Sequence, residues 1–264
     1  MDRMNVIDSR YLALYDRATD VLEGDPRVVR VGLSGSVAKG TADRWSDLDL
    51  EVVAHPEHHA SLLADWPVWL ARITPTVFAR TPIAPFIINA VTDEGLTLDL
   101  AVWSGNAIDF PPNSQYVVGQ LSSLRFDDVG AALEYAVAEQ LRGLAGPFIS
   151  LLKRDEHLRH LAGVPHLLGL LTTVFLAETE LPQPGKHWNS TFTVEQREAV
   201  ANLPGVRATR EDIVNFGLGV ARLVVERARP LYPRFQLDWP SDLARVTATR
   251  LHAELGIQTN DWLF

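Results

Sequence analysis

Apolar side chains at Leu12, Tyr15, Ala18, Val21 and Leu22 recur at three- and four-residue intervals, which predicts a helix over residues 8–23 that stops at Asp25-Pro26. Val28 to Leu33 follows as a β-branched run suited to a buried strand, ending at the small residues Ser34-Gly35-Ser36. The period then changes to two. From Asp47 to Val53 acids and aliphatics alternate, so Asp47, Asp49 and Glu51 share one face of a strand and Leu48, Leu50 and Val52 the other. A helix is expected around 57–65, then a strand from Trp69 to Phe78, where Pro75 suits an edge or a bulge. Phe86–Val91 and Leu96–Val102 read as two further strands joined by Thr92-Asp93-Glu94-Gly95, a turn with Gly where a positive φ is needed. In the last strand Leu98, Leu100 and Val102 share a face, leaving Thr97, Asp99 and Ala101 on the face that matches the acidic one.

From Ser104 to Asp128 the pattern is irregular and includes Pro111-Pro112-Asn113-Ser114, which places a domain boundary there. Beyond it the periodicity is helical, with helices expected near 129–143, 147–160, 164–178, 193–202, 209–228 and 241–254. Breaks are expected at Gly146-Pro147, Gly163, Pro182–Gly185, Pro204-Gly205 and Pro230–Pro240. The expected fold class is therefore α+β: a mixed-sheet domain at residues 1–108 followed by an all-α helical bundle at 109–264. The Leu-rich stretch Leu167–Leu176 reads as bundle core.

Composition narrows the chemistry. With 47% hydrophobic and 22% charged residues, the 264-residue chain can bury a real core. Its net charge of −9 argues against a protein that grips nucleic acid through many phosphate contacts, and favours a small or cationic substrate. The absence of Cys removes disulfides, thiolate metal sites and a Cys nucleophile. The N-terminus carries charges throughout, and no stretch approaches the roughly 18 apolar residues of a membrane span, so a cytoplasmic protein with no membrane partner is expected.

The informative segment runs from Val31 to Val53: a strand ends in Gly35-Ser36, a helix begins, and a second strand opens with Asp47-x-Asp49. Gly35 lets backbone approach a bulky anion, and Ser36 at a helix start can offer hydroxyl and N–H to phosphate oxygens. Asp47 and Asp49, two apart on a strand, project from one face, and like charges so close call for a cation between them. Magnesium suits carboxylate, water and phosphate oxygens together, and Asp99 on a neighbouring strand would complete a two-metal arrangement.

Gly35-Ser36, eleven positions to Asp47-x-Asp49, then an acid on a later strand: this resembles the DNA polymerase β nucleotidyltransferase superfamily, and more narrowly the small bacterial nucleotidyltransferases that modify aminoglycosides or lincosamides. The resemblance covers roughly residues 28–103 and implies a nucleotidyltransferase domain at 1–108. It further implies Asp47, Asp49 and Asp99 as metal ligands, Gly35-Ser36 as phosphate-binding turn, and ATP as donor of AMP to a hydroxyl of a small acceptor. A carboxylate commonly serves as general base in the antibiotic-modifying members; Asp99 or an early acid of the helical half, Glu134 or Glu139, would fill that role. Two alternatives stand beside it: transfer to a protein or tRNA, as in antitoxin-like members, and a silent nucleotide-binding module. The oligomeric state is open.

Lys39 and Arg44 are placed to approach phosphate, and Lys186, beside Trp188 in an inter-helix loop, to contact the triphosphate or stack on a base. Gly35 to Thr41 also looks like a Walker A loop but lacks the Lys after its second glycine, where Thr41 stands. His55-Pro-Glu-His58-His59 reads as a polar loop rather than a zinc site, having no second convergent ligand group.

Overall fold

The computed structural model describes residues 7–81, 86–105, 128–180, 188–259 and 261–264. The chain divides into two compact units, Met1–Val117 and Val118–Phe264. The boundary expected after residue 108 lies outside the described residues.

The first unit is built on a five-stranded mixed sheet in the order β1-β2-β5-β4-β3. Its strands are β1 (Val28–Leu33), β2 (Leu48–Ala54), β3 (Thr76–Arg80), β4 (Ile87–Thr92) and β5 (Thr97–Ser104). β2 and β5 run parallel, while β1/β2, β4/β5 and β3/β4 are antiparallel. Among the described residues, α1 (Arg10–Glu23), α2 (Gly35–Lys39), α3 (His59–Ala64) and α4 (Trp66–Ile73) accompany them. The core lies on one face of the sheet, where Leu48, Leu50 and Val52 of β2 and Leu98, Leu100 and Val102 of β5 are all but fully buried against Leu14, Leu22, Leu62 and Leu70 of the helices. Each such side chain contributes about 1.5–3 kcal/mol on burial. That stripe locks the register. A one-residue slip of β2 would drive Asp49 into the core and Leu50 out of it.

One expectation fails in this unit. The stretch from Trp69 is not the start of a strand: α4 occupies Trp66–Ile73, and β3 begins only at Thr76. Trp69, Leu70 and Ile73 are buried at helical spacing, and the Trp69 indole Nε1 donates to the Leu62 carbonyl at 3.0 Å. Pro67 sits in the first turn, where its missing N–H costs nothing, and Pro75 lies just past the end. The β4–β5 turn forms as expected, with Gly95 at φ +81.

The second unit is helical: α5 (Val129–Gly143), α6 (Ile149–Lys153), α7 (His157–Glu178), α8 (Trp188–Thr191), α9 (Val194–Ala201), α10 (Arg210–Ala228) and α11 (Ser241–Leu255). Asp128 caps α5 by accepting from the Gly130 and Ala131 amides, and Thr193 and Gln196 form a reciprocal capping box on α9. Expected helices and breaks near 150–165 are displaced. A π turn at Leu144–Phe148 absorbs Pro147 and carries α5 into α6. The chain breaks instead at Arg154–Glu156, where Asp155 takes φ +53, and α7 runs straight through Gly163 and Pro165. A helical Gly costs about 1 kcal/mol. Burial of Leu170, Leu171, Val174 and Phe175 farther along the same helix outweighs it.

α7 also corrects the membrane expectation, since by length and hydropathy alone it could cross a bilayer. One side of its C-terminal half, Leu170, Leu171, Val174, Phe175, Leu176 and Ala177, is nevertheless buried within the unit, as in a helix packed on a bundle. Phe148 sits against Gly217 of α10, where a Cβ would come within 2.7 Å of the ring.

Candidate active site

The polar face of the sheet is organised by register. Asp49 of β2 pairs laterally with Asp99 of β5, and Asp99 pairs with Asn89 of β4. Asn89 in turn pairs with Arg80 of β3. One lateral row therefore reads Asp49, Asp99, Asn89, Arg80 across four strands. The face match expected between the two acidic strands is met by this row, and Asp47 stands immediately before β2.

Beside the row, β1 closes onto β2 through the Ser34 amide, which donates to the Asp49 carbonyl at 2.9 Å. Gly35 then turns at φ +56, and a Cβ there would lie 1.8 Å from the Asp49 Oδ2. No residue but glycine fits without displacing the carboxylate. What approaches the Gly35 backbone here is thus the protein's own acid, and the Ser36 backbone N–H is turned toward that same carboxylate. α2 is a single turn, ended by Gly40 at φ +72, so Ser36 brings its hydroxyl and local N–H groups rather than a long helix dipole.

The approach to Asp47 is braced by a turn that sequence reasoning passed over. The Ser46 hydroxyl donates to Asp43 Oδ1 at 3.2 Å and accepts from the Asp43 amide at 2.9 Å, and the Trp45 amide donates to Asp43 Oδ1 at 3.0 Å. Ser46 is buried. An Asp three residues before a Ser, just ahead of Asp-x-Asp, is the turn signature that could have shown it.

Burial pushes the Asp49 carboxyl up to about 7, with the negative charges of Asp99 and then Asp47 adding to the rise; Lys39 and the Ser36 N–H partly offset it. This is the response of an acid among acids in a dry place. Among the described residues no three acidic or imidazole side chains are already drawn together around a point. The carboxylates are near enough to repel yet not converged. Their donor set is oxygen only, which fits a hard divalent cation that would gather them. The fit rests on chemistry and register.

Lys39 is exposed at the end of α2 and lies close enough to Asp49 to act on it. Arg44 is exposed and stacks over the Trp45 ring at 5.5 Å. Glu134 is exposed on α5 in the helical unit. Glu139, on the same helix, is buried and held by the Arg142 guanidinium, whose Nε donates at 2.8 Å. Lys186 lies outside the described residues. Asn89, whose amide donates to Asp99 Oδ1 at 2.7 Å, was not foreseen.

The sheet unit is thus a five-stranded mixed sheet with helices on one face and a row of acids on the other, next to a Gly-Ser turn. Residues 18–97 match the family described as nucleotidyltransferase domain, a span that holds Gly35, Ser36, Asp47 and Asp49 and ends two residues before Asp99. This segment is a nucleotidyltransferase domain, in line with the superfamily its motif resembles. No curated protein matches the chain. Among solved structures, an aminoglycoside 6-adenyltransferase from Bacillus subtilis aligns over 90% of this chain and 95% of its own at 11% identity, with a TM-score of 0.38. Likeness at that level does not extend to the acceptor.

Proposed function

We propose that the protein transfers a nucleoside monophosphate, AMP from ATP, in a magnesium-dependent reaction onto a hydroxyl of a small cationic molecule of the aminoglycoside or lincosamide kind. The observation that carries this reading is the lateral pairing of Asp49 with Asp99 beside the Gly35-Ser36 turn, inside and at the edge of the matched segment. The net charge of −9 supports a polycationic acceptor over a polyanionic one.

Asp47, Asp49 and Asp99 would hold Mg2+, which when bound neutralises phosphate charge and lowers the pKa of the attacking hydroxyl. Gly35 keeps the Asp49 carboxylate close to the turn, and the Ser36 hydroxyl is offered to a phosphate oxygen. Lys39 and Arg44, exposed cations flanking the motif, steer the triphosphate. The acceptor oxygen forms a bond to the α-phosphorus as the bond to pyrophosphate breaks, and the hydroxyl proton passes to a carboxylate. Asp99 stands in the row for that task. Positioning and charge complementarity supply most of the acceleration in such a transfer.

Incubation with labelled ATP, Mg2+ and a panel of aminoglycosides and lincosamides tests the reading. Label is expected in one compound with stoichiometric pyrophosphate. Label found only in protein or tRNA would overturn the small-molecule acceptor, and nucleotide binding without pyrophosphate would overturn turnover itself.

A further inference from the structure

We propose that Asn89 is a positioning residue of the transfer site, its side-chain amide holding the Asp99 carboxylate in the orientation that receives the cation. The inference rests on the carboxylate-row reading above.

Asn89 is an unusual occupant of its place. It lies in the middle of β4, only 8% exposed, and its same-face neighbours Ile87 and Val91 are 6% and 0% exposed. Asn is a poor strand former, and burying an amide costs stability unless it is hydrogen-bonded. A Val there would suit both the strand and its surroundings. The amide is instead spent on one contact, the 2.7 Å bond from Nδ2 to Asp99 Oδ1. Register makes that contact obligatory, since Asn89 and Asp99 are direct cross-strand partners and Asp99 is the direct partner of Asp49 on its other side.

The chemistry of the donor matters as much as its place. An Arg or Lys in this position would also orient Asp99, but would neutralise it. Asn supplies a fixed dipole with no net charge, so it pins one carboxylate oxygen without adding a positive charge of its own. Partners that orient a metal-binding carboxylate from behind typically change affinity or activity by about 10–100-fold when lost.

Val and Thr are isosteric and both favour strands, so Asn89→Val removes the donor while Asn89→Thr restores a shorter one. The full-length wild type, N89V, N89T and D99N would be titrated with Mn2+ in the absence of nucleotide, following free Mn2+ by electron paramagnetic resonance. Circular dichroism would check the fold, and kcat and KM for ATP would be measured separately. N89V is expected to weaken Mn2+ binding about 10–100-fold and to lower kcat with little change in KM, with N89T in between. Wild-type Mn2+ affinity in N89V while D99N binds poorly would overturn the role of Asn89 alone. Equal loss in N89V and N89T together with lowered melting temperatures would assign Asn89 a structural part only and overturn it as well. Wild-type affinity in D99N would overturn the carboxylate row itself, whatever Asn89 does.

Discussion

The two units meet the problem of a half-buried titratable group with opposite signs. In the sheet unit, burial and two neighbouring carboxylates push the Asp49 carboxyl up to about 7. In the helical unit, burial is again the first cause, but it acts on an imidazole and pushes His160 down to about 4, with nearby His157 adding to the fall and a backbone hydrogen bond at Phe148 partly opposing it. Either way the charged form is disfavoured. The difference lies in the company each keeps. Asp49 is surrounded by more charge of its own sign, an arrangement no fold needs and a cation relieves; His160 packs edge-on to Phe148, ring centroids 5.5 Å apart, as a core residue does. The presence of like charges, rather than burial as such, sets Asp49 apart from His160.

The largest expected effect comes from removing the frustrated charge. Asp49→Asn should lower pyrophosphate release by about 10²–10³-fold, the usual loss when one element of an electrostatic site is removed. It should also stabilise the metal-free protein. The folded pKa of Asp49 is raised, so its contribution to stability is full below the unfolded value near 3.8 and is lost as pH rises through about 7. The Asn variant escapes that loss. Melted in chelator, it should exceed wild type at pH 8 and match it at pH 3.5; a lower melting point at pH 8 would remove Asp49 from the list of frustrated groups.

Gly35→Ala comes next. The new Cβ would meet the Asp49 carboxylate and the backbone would hold a non-glycine residue at φ +56, a strain of about 1–2 kcal/mol before any displacement. Turnover should fall about 10-fold or more through misplacement of Asp49, with the helical unit untouched. Hydrogen exchange would read this as faster exchange in β1 and β2; unchanged exchange there would contradict the close fit of Gly35 against Asp49.

The contrast between the units also governs what the sequence disclosed. The strict period of two in Asp47–Val53 and Leu96–Val102 forces the acids onto one face, and the turn at Gly95 fixes the hairpin, so the acidic face was legible before any coordinates. Asn89 was legible in principle, because a hairpin centred on Glu94 pairs residue 89 with 99. It was missed because a lone Asn carries no pattern. α4 was misread because Trp69, Leu70 and Ile73 suit a strand or a helix alike over so short a run; Pro75 does lie beside an edge strand, but ahead of its start rather than within it. In the helical unit, Gly and Pro punctuation misled at Gly163 and Pro165. Local propensity there is worth about 1–3 kcal/mol, and side-chain burial along α7 overrides it.

A purely structural change in the helical unit should leave the chemistry alone. Gly217→Ala would bring a Cβ to 2.7 Å from Phe148 Cε2, and because the ring packs against His160, it can yield only by disturbing that contact. Overpacking of this kind costs about 1–3 kcal/mol. The urea midpoint for α10 should drop, while the Mn2+ affinity of the sheet unit stays at the wild-type value. Loss of Mn2+ binding in this variant would show that the two units are energetically coupled.

The smallest effect is the pH limb of His160, opposite in direction to that of Asp49. Its folded pKa is lowered to about 4, so its stabilising contribution is fully present above the unfolded value of 6.5 and is lost as pH falls through that window. The ring is only partly shielded, so solvent screening leaves about 1 kcal/mol. His160→Phe keeps an aromatic against Phe148 and removes the proton site. Between pH 7 and pH 5 the wild-type helical unit should lose roughly 1 kcal/mol more than this variant does, measured by exchange of α7 amides. The sheet unit, in chelator, should gain stability over the same interval as Asp49 takes up its proton. If both units weaken together on acidification, the opposition between the half-buried acid and the half-buried imidazole is wrong, and Asp49 is not the charge-frustrated group that the cation reading requires.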